Sequence, residues 1–429
     1  MSDVFGAELP AGWSATRLKS VVTYLRRGTA PDYVEKGEVR AISQAANQDD
    51  GLDWSRTRFH KSDGRPATLK GYLKAGDILV NSTGTGTLGR VGFFEGAPDD
   101  IPCMADGHVT IVRTDNAEAN SRYAYYWLRS RLFQDYIYAV LAVGATNQIE
   151  LNREGLANAP FPSPPIEEQR RIADFLDAET ARIDRAGSLQ KRILATLEER
   201  ERAHLDIAID ELIETCGSVP LRRFVWSVDQ GVSPQCDAAP ADEGEWGVLK
   251  VSCLRPGVFL PHENKRLPKE VPPFRESEVR DGDLLITRAN TPELVGSTAV
   301  VNRVRSKLLL SDKIFRVRLS PGMLPEFVAT VARGSRIRAL CASSANGASQ
   351  SMANIRFEEV KAWPMPLADV RKQKRFVAEV VHDRNKIEEI KPRIKAQLAL
   401  LAERRQALIT AAVTGQFDVS TASGRGVTG

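Results

Sequence analysis

The strongest constraint on how this chain folds is an internal repeat, because short motifs recur in the same order in its two halves. The sequence GDILV at residues 76–80 returns as GDLLI at 282–286, and PFP at 160–162 returns as PMP at 364–366. Gln169 has a counterpart in Gln373, a separation of 373 − 169 = 204 residues. Motifs that stay in register over such a distance indicate a tandem duplication. The chain is therefore predicted to contain two copies of one structural unit.

The front part of each copy is predicted to be a globular α/β domain. These parts, residues 1–165 and 216–368, contain short strand-like runs such as DILVNS at 77–82 and KIFRVRL at 313–319. Runs of β-branched and aromatic residues between glycine, proline and serine clusters are typical of strands. The fold class that follows is α+β, with two domains in tandem.

The back part of each copy changes to the three-four spacing of apolar residues that is typical of a long amphipathic helix. The sequence predicts a central helix over 166–215, a C-terminal helix over 369–418 and a disordered tail over 419–429. The apolar residues predicted to form the seam between the two helices are Ile172, Leu176, Ile183, Leu194, Leu197, Phe376, Val380, Ile387, Ile394, Leu398 and Leu401.

Length and charge both favour pairing of the two helices. A helix of ~40 residues is about 60 Å long and cannot bury its apolar stripe in one small domain. The first helical segment has 8 basic and 13 acidic residues, and the second has 11 basic and 7 acidic residues. Opposite flanking charges select partners in coiled coils. We expect an antiparallel coiled coil that separates the two domains with pseudo-two-fold symmetry; the alternative is that each helix packs on its own domain.

Composition excludes several classes of protein. Hydrophobic residues make up 42% and charged residues 27% of the 429 residues, which is typical of globular proteins that contain more than one domain. No apolar run of ~18 residues is present, so no membrane partner is expected. The five cysteines are scattered without a C-x-x-C pair. This predicts no zinc site or disulfide framework and a reducing cytoplasm as the location.

One segment resembles a nucleotide-binding loop, but its context argues against that function. The sequence GTGTLGR at 84–90 fits G-x-G-x-x-G, yet a strand-like run follows it at once. A dinucleotide fingerprint requires a helix at that point, and a P-loop requires Lys and Ser or Thr where Arg90 and Val91 stand. The five histidines are isolated and no nucleophile elbow is present. The chain is therefore predicted to be non-catalytic, to bind no metal and to bind no cofactor itself.

Recognition of double-stranded DNA is the function that remains. The second domain has 21 basic and 16 acidic residues, whereas the first has 18 and 19. Arg, Asn and Gln side chains form paired hydrogen bonds with base edges, and basic residues contact phosphates. Each candidate is, taken alone, equally explained as a solvated surface residue. The predicted DNA-binding residues are Arg56, Arg58, Asn81, Thr83, Thr85, Thr87, Arg90, Asn147, Gln148, Lys250, Arg255, Arg288, Asn290, Ser349 and Gln350.

Several motifs together resemble the specificity subunits of type I restriction–modification enzymes. They are LPAGWSATRL at 9–18, PPIEEQRRIADFLD at 164–177 and LLAERRQALITAAVTGQFDV at 400–419, together with the GDILV and GDLLI pair. The second copy departs from this pattern, because it lacks the L-P-x-G-W opening. The resemblance extends over nearly the whole chain.

The resemblance implies a division of labour within a larger complex. Each globular domain would be a target recognition domain for one half of a split DNA sequence, and the helices would set the separation of the halves. Two modification subunits would carry S-adenosylmethionine and methylate adenine. Two restriction subunits would use ATP and magnesium to translocate and cleave DNA. The resemblance transfers no base-contacting residue, because the recognition loops are where members of the family differ.

The two domains have different loop sequences, and this predicts a target whose halves are not palindromic. The loop NSTGTGTLGR at 81–90 corresponds to TRANTPELVG at 287–296. Three alternatives remain at the level of sequence. They are a specificity subunit of a system whose partner fuses methylase and nuclease, an unrecognised nuclease, and a purely structural coiled-coil scaffold.

Overall fold

A computed structural model describes residues 3–62, 64–144, 149–344 and 353–419 of the protein. The chain divides into two compact units, Met1–Gln190 with Lys395–Gly429, and Lys191–Ile394. Two long helices contribute to both units. We call Ile166–Cys216 the central helix and Val370–Val413 the C-terminal helix. The division falls inside both helices and not at their ends, so each unit holds one globular domain and a part of each helix.

The first domain is built around a four-stranded antiparallel sheet. The outer pair is a hairpin in which Asp77 pairs with Phe94 and Val80 with Val91. Its strands are fully or almost fully buried, which fits the continuous apolar runs in their sequences. The strand order across the sheet is Val91–Phe94, Asp77–Asn81, Val109–Thr114 and Val22–Arg27.

A second four-stranded sheet in the first domain contains one parallel pair. Its order is Cys103–Ala105, Val39–Ile42, Arg58–His60 and Tyr33–Val34, and the first two strands are parallel. Two-stranded pairs complete the β-structure: Asp3–Val4 with Ala7–Glu8, Ser14–Arg17 with Pro160–Ser163, Asn47–Gln48 with Gly51–Leu52, and Ala142–Val143 with Glu150–Leu151. The helical segments are Ser121–Arg129, Arg131–Tyr136, the π-helical turn Ile137–Leu141, and Arg153–Asn158.

The second domain repeats the main sheet of the first with the same strand order. Its antiparallel strands are Thr298–Val300, Leu284–Thr287, Ile314–Leu319 and Val225–Gln230. In each main sheet the strand that comes first in the sequence, Val22–Arg27 or Val225–Gln230, lies at the edge. Its pairing with the neighbouring strand contains an irregularity. The topology thus confirms that the repeated motifs mark a repeated fold.

The remaining elements of the second domain also have counterparts in the first. A smaller sheet has the order Asn264–Arg266, Gly247–Leu249 and Leu308–Leu309, and its last two strands are parallel. The paired segments are Ser218–Pro220 with Pro364–Pro366, Leu254–Arg255 with Val258–Phe259, and Ala289–Asn290 with Ala353–Asn354. The helices are Pro325–Val331, Ser335–Ser344 and Phe357–Lys361.

The repeated glycine–aspartate motif has a structural explanation. Gly76 has a φ of +93°, a left-handed conformation that favours glycine. Asp77 is fully buried and forms two hydrogen bonds of 2.6 Å with Arg113 on the neighbouring strand. In the second copy Gly282 has a φ of +91°, and Asp283 accepts from the backbone N–H of Arg280 at 2.9 Å. The motif therefore fixes the turn that enters the central strand of each main sheet.

The two long helices pair in antiparallel fashion within each unit. In the first unit Arg405 Nε lies 3.1 Å from Asp184 Oδ1. In the second unit Glu201 pairs with Lys391 at 3.4 Å, and His204 lies 3.4 Å from Asp383. Later residues of the C-terminal helix thus meet earlier residues of the central helix. Opposite charges on the two helices, which the sequence predicted to select the pairing, do meet here.

The predicted seam residues are buried or half-buried throughout, but several do more than join the helices. Ile172 and Leu176 belong to the core of the first domain, together with Ile409 of the C-terminal helix. Phe376 belongs to the core of the second domain, together with Leu205 of the central helix. The expectation of a seam between the helices alone is therefore wrong at these positions. Each helix packs on both domains, which also differs from the alternative in which it packs only on its own.

No helix in the described ranges combines the length and the apolar character needed to cross a membrane. All five cysteines are unpaired with one another, and Cys103, Cys253 and Cys341 are buried. Among the described residues, His, Cys, Asp and Glu side chains form no group of three that would hold a metal ion.

Candidate nucleic-acid interface

Several predicted residues of the first domain gather at one end of its main sheet. At this end the strand Asp77–Asn81 stops and the neighbouring strand Val109–Thr114 begins. The Ser82 N–H donates to the carbonyl of His108 at 2.8 Å. The hydroxyl of Thr83 lies 2.8 Å from Nδ1 of His108 and 3.0 Å from Oε1 of Gln44. Thr83, a predicted site residue, is thus part of a connected polar cluster.

Two arginines lie close to this cluster. Arg27 donates from Nη2 to the carbonyl of Ser82 at 3.2 Å and pairs with Glu150 at 3.4 Å. Arg58 stacks over the ring of Tyr33, with 3.5 Å between its Cζ and the ring centroid. A cation held flat on an aromatic ring is oriented without losing its charge. Arg58 therefore has an available positive charge at an exposed position, which a DNA-binding residue requires.

Asp106 connects Arg58 with the histidine of the cluster. Burial raises the pKa of Asp106, and this effect is opposed by the backbone N–H of His108, by the His108 ring and by the charge of Arg58. The His108 N–H donates to Asp106 Oδ1 at 2.8 Å. The arrangement holds the turn 106–108 in place and leaves the His108 side chain exposed.

The glycine-rich segment forms a tight loop and not a phosphate-binding helix start. Gly84, Gly86 and Gly89 all have positive φ values, of +100°, +80° and +77°. The N–H groups of Thr87 and Leu88 both donate to the carbonyl of Gly84. The strand Val91–Phe94 follows directly. The loop presents Thr85 at its exposed tip, whereas the Thr87 hydroxyl donates back to the Thr83 carbonyl at 3.1 Å.

Two predicted contacts of the first domain are wrong in this structure, because their polar groups are used inside the fold. Asn81 is fully buried, and its amide bonds to Asn47 at 2.9 Å and to the carbonyl of Gln44 at 3.2 Å. The Arg90 side chain is only 16% exposed and bonds to Asp49 at 3.1 Å. Neither side chain reaches a base edge without breaking these bonds.

Arg56 lies on a different short segment from the cluster. Its Nε is 2.8 Å from Asp53 Oδ2, in an exposed pair within one turn of 3₁₀-helix. The Asp53 carboxylate also accepts from the Ser55 hydroxyl at 2.6 Å, and this hydrogen bond holds the pKa of Asp53 below its ordinary value. Exposed pairs of this kind contribute little to stability, so Arg56 is able to exchange its partner for a phosphate.

The corresponding end of the second domain has the same backbone arrangement. The Arg288 N–H donates to the carbonyl of Lys313 at 2.8 Å, and its Nη1 donates to the carbonyl of Asp312 at 3.4 Å. Gln230 and Ser233 also donate hydrogen bonds to Asp312. Arg288 therefore lies where the sequence predicted, beside a turn that other polar side chains support.

Two buried polar groups at this end have no hydrogen-bond partner in the described structure. They are Nδ2 of Asn290 and the hydroxyl of Ser311. The Oδ1 of Asn290 accepts from the Thr291 N–H at 2.9 Å, so only half of the amide is satisfied. The prediction of an accessible Asn290 is wrong, since the residue is only 8% exposed. An unsatisfied buried group costs about 1–3 kcal/mol and is rare in native folds.

The smaller sheet of the second domain carries the other predicted basic residues. Lys250 lies 3.5 Å from Glu263, which also accepts from the Ser252 hydroxyl at 2.6 Å. These contacts, with the Ser252 hydrogen bond first, hold the pKa of Glu263 below its ordinary value. Lys250 borders a cleft of about 690 Å³ that is lined by two further basic residues, Arg303 and Arg305, and by the acidic residues Asp242, Glu243 and Glu263. Arg255 is exposed and forms no ion pair with a described residue.

Four predicted residues, Asn147, Gln148, Ser349 and Gln350, lie outside the described residues. The segments beside them are adjacent to the clusters. Glu150 forms an antiparallel bridge with Thr83, and Ala353 pairs with Asn290.

Comparison with known proteins shows what the chain is similar to. The sequence model described as "Type I restriction modification DNA specificity domain" matches residues 10–199. The chain is 29% identical over 192 residues to the EcoEI specificity subunit of Escherichia coli, which is 44% of this chain but only 32% of that subunit. It is 23% identical over 432 residues to the EcoKI specificity subunit of E. coli K12, covering 96% of this chain and 90% of that protein. Residues 10–199 thus match a type I DNA specificity domain, and nearly the whole chain is similar to a type I specificity subunit.

Solved structures agree with this assignment at the level of fold. One chain from a study of complex assembly and conformational transition of the type I R-M system matches with a TM-score of 0.69 and 17% identity, covering 96% of this chain and all of that chain. The HsdS subunit from Thermoanaerobacter tengcongensis matches with a TM-score of 0.50 and 18% identity, covering 96% and 99% of the two chains. The predicted fold class of this chain is thus confirmed.

The polar clusters of the two domains share backbone positions but differ in side chains. The hydrogen bond from Ser82 to His108 in the first domain corresponds to that from Arg288 to Lys313 in the second. Arg27 is the last residue of the edge strand in the first domain. Gln230 is the last residue of the corresponding edge strand in the second domain.

Sequence reasoning missed Arg27, Gln44, His108 and Lys313 as members of these clusters. The signal was present for two of them, because His108 and Lys313 each begin a strand-like run, HVTIVR and KIFRVRL. The residue before a buried strand lies at the sheet end, where polar side chains meet solvent. Gln44 gave no such signal, since it comes from a loop 39 residues away from Thr83.

Proposed function

We propose that this chain is the DNA-recognition subunit of a type I restriction–modification complex and is itself non-catalytic. Each domain would recognise one half of a bipartite, non-palindromic target in double-stranded DNA. The observation that carries the proposal is the repeated sheet end. One backbone arrangement is used twice, with Ser82 and His108 in the first domain and Arg288 and Lys313 in the second. Two domains with the same backbone arrangement but different side chains are suited to two different half-sites, because side chains determine which base edge is recognised.

The second part of the proposal is that the paired helices set the separation of the half-sites. The central helix has 51 residues and the C-terminal helix has 44. Each domain is attached to a helix other than the one that directly follows it in the sequence. Thr410 of the C-terminal helix accepts from the Arg131 N–H at 3.0 Å in the first unit. Asp206 of the central helix accepts from the Ser335 N–H at 2.7 Å in the second unit.

These two hydrogen bonds support a rigid spacer. Residues 131 and 335 each start a helix and are counterparts in the repeat, since 335 − 131 = 204. Their partners 206 and 410 are counterparts as well, since 410 − 206 = 204. Caps at a helix N-terminus satisfy N–H groups that otherwise lack partners. Each domain is therefore held at a fixed place along the helices, as a spacer function requires.

The third part of the proposal concerns the partners. Two modification subunits would dock on the helices and bring S-adenosylmethionine, and two restriction subunits would bring ATP and magnesium. Apolar side chains exposed on the helices support docking, since exposed apolar groups that cluster mark interaction surfaces. Those with at least 40% exposure are Leu189, Ile193, Ile207, Val381, Ile390 and Leu400. Assembly with a DNA-modifying enzyme is consistent with the predicted cytoplasmic location.

Co-expression of the full chain with the modification subunit encoded beside it, followed by mapping of methylated adenines, tests the proposal. We expect one bipartite motif with two different half-sites and a fixed spacer. The isolated chain, purified without its partner, should transfer no methyl group. A palindromic motif would contradict the two-domain assignment, and methyl transfer by the isolated chain would contradict the non-catalytic role.

A further inference from the structure

We propose that His108 and Lys313, which occupy one equivalent backbone position in the two domains, are specificity-determining residues that each contact one half of the DNA target. This inference rests on the proposed function, because it names the contacting residues of that same site. It assigns a role to two side chains that sequence reasoning did not select.

The backbone at both positions is fixed by the fold. Each residue precedes a long strand of the main sheet, Val109–Thr114 or Ile314–Leu319. The turn before each of these strands lies in close contact with a glycine that follows the edge strand. A Cβ on Gly28 would lie 2.0 Å from the carbonyl oxygen of Ala105, and one on Gly231 would lie 1.8 Å from that of Leu310. No side chain fits there, so the turns are kept in one place and their side chains are presented in a fixed way.

The His108 ring is exposed and oriented by the first domain. Its Nδ1 lies 2.8 Å from the Thr83 hydroxyl, and its backbone N–H is held by Asp106 at 2.8 Å. The other ring nitrogen, Nε2, makes no hydrogen bond with a described residue. A ring held through one nitrogen presents the other to a ligand with defined direction. Such a nitrogen is able to donate to, or accept from, a base edge in a DNA groove.

Lys313 lies in a cluster with unused hydrogen-bonding capacity. It is half-buried and forms no ion pair with a described residue. Arg288 bonds to its carbonyl, and the unpartnered Ser311 hydroxyl and Asn290 amide are within two residues of this pair. In the first domain Asp106 occupies the position of Ser311 and accepts from the His108 N–H, and Thr83 bonds to His108 and Gln44.

The chemistry of the two clusters therefore differs in a way that predicts different partners. Lys313 and Arg288 both offer donors, and adjacent acceptors of this kind are the O6 and N7 atoms of guanine. The first cluster mixes donors and acceptors through His108, Thr83 and Gln44. We expect the half-site of the second domain to depend on guanine at the contacted position.

The test uses the full chain co-expressed with its modification subunit, and DNA libraries in which each half-site is randomised separately. His108→Ala should reduce methylation at the parent motif by roughly 5- to 150-fold, the effect of one lost base-edge contact, or relax the preference at one position of one half-site. Lys313→Ala should do the same in the other half-site only. His108→Gln preserves hydrogen bonding and serves as a second variant should the alanine change impair folding.

Two lysines provide matched controls, because Lys36 and Lys269 are exposed residues of the same two domains. Lys36→Ala and Lys269→Ala should leave both half-site preferences as in the parent. The proposal is overturned if the His108 and Lys313 variants also keep both preferences within twofold, or if they weaken both half-sites equally. A parent chain that directs no site-specific methylation would instead refute the proposed function itself.

Discussion

Gln169 and Gln373, one repeat apart, form the same set of three hydrogen bonds at the start of the two long helices. Gln169 accepts from the Asn120 N–H at 2.9 Å. Its amide donates to the carbonyls of Pro164 at 3.0 Å and Glu118 at 3.3 Å. Each long helix is thus joined at its first turn to the loop in front of a domain helix.

The second glutamine reproduces this pattern with different neighbours. Gln373 accepts from the Leu324 N–H at 2.9 Å and donates to the carbonyls of Gly322 and Ala368 at 2.9 and 2.8 Å. Both glutamines are at most 1% exposed. A buried amide that satisfies three backbone groups is difficult to replace, which explains why this position is the same in both copies.

Gln169→Ala and Gln373→Ala should each destabilise the chain. Each change leaves up to three buried backbone groups without a partner, at about 1–3 kcal/mol for every group that water does not reach. Thermal unfolding followed by circular dichroism is the measurement, with a lower Tm expected for both variants. Gln397→Ala, at an exposed position of the C-terminal helix, is the matched control and should change the Tm little. Equal Tm values for all three variants would contradict this account.

The glutamine pair also illustrates what the sequence predicted and what it did not. The register of the repeat located Gln169 and Gln373, and apolar periodicity located both helices, because these signals are local. The burial of Asn81 and Arg90 depends on Asn47 and Asp49, which lie in the short hairpin 47–52, distant in sequence. An asparagine or arginine near a strand end has the same local sequence whether it faces DNA or a neighbouring loop. The candidate site was therefore predicted as a region, while individual contacts were not.

The buried aspartate of the glycine–aspartate motif should matter more in the first domain than in the second. Asp77 is fully buried and bonds twice to Arg113, so Asp77→Asn should destabilise by on the order of 3 kcal/mol. Asp283 lies 3.5 Å from Arg316, which also pairs with Asp229 at 3.0 Å. Asp283→Asn should then cost about 1 kcal/mol. Urea denaturation of both variants gives the comparison, and a larger loss for Asp283→Asn would be inconsistent with these contacts.

The buried thiols should resist modification in the native chain. Burial raises the pKa of Cys103 and Cys253 to about 12 and that of Cys341 to about 11. Only the thiolate reacts, so at pH 8 an aromatic disulfide reagent should modify at most Cys216 and Cys236 until urea exposes all five. Because the unfolded thiols ionise near pH 9, their protonated burial stabilises the fold below that pH and stops doing so as the pH rises toward 12. Rapid labelling of more than two thiols would refute this expectation.

Charge reversal on the helices should weaken assembly without changing sequence preference. Arg200 and Arg404 are counterparts in the repeat, both are exposed, and neither forms an ion pair with a described residue. Arg200→Glu and Arg404→Glu should each lower the yield of complex with the modification subunit on gel filtration, because rim charges guide association. The complex that does form should methylate the parent motif. Arg65→Glu, at an exposed residue of the first domain that forms no ion pair with a described residue, controls for charge reversal outside the helices.

The salt dependence of DNA binding should come mainly from the second domain. That domain has 21 basic and 16 acidic residues, whereas the first has 18 and 19. Arg255 is exposed without an ion pair among the described residues, so it is placed to contact a phosphate. Arg255→Ala in the assembled complex should reduce the slope of log Kd against log salt concentration by about one, the effect of one phosphate contact. Arg56→Ala, which removes a cation already paired with Asp53 at 2.8 Å, should reduce it less. If Arg255→Ala leaves the slope unchanged while its complex still binds the target, this arginine contacts no phosphate, and the excess charge of the second domain acts elsewhere.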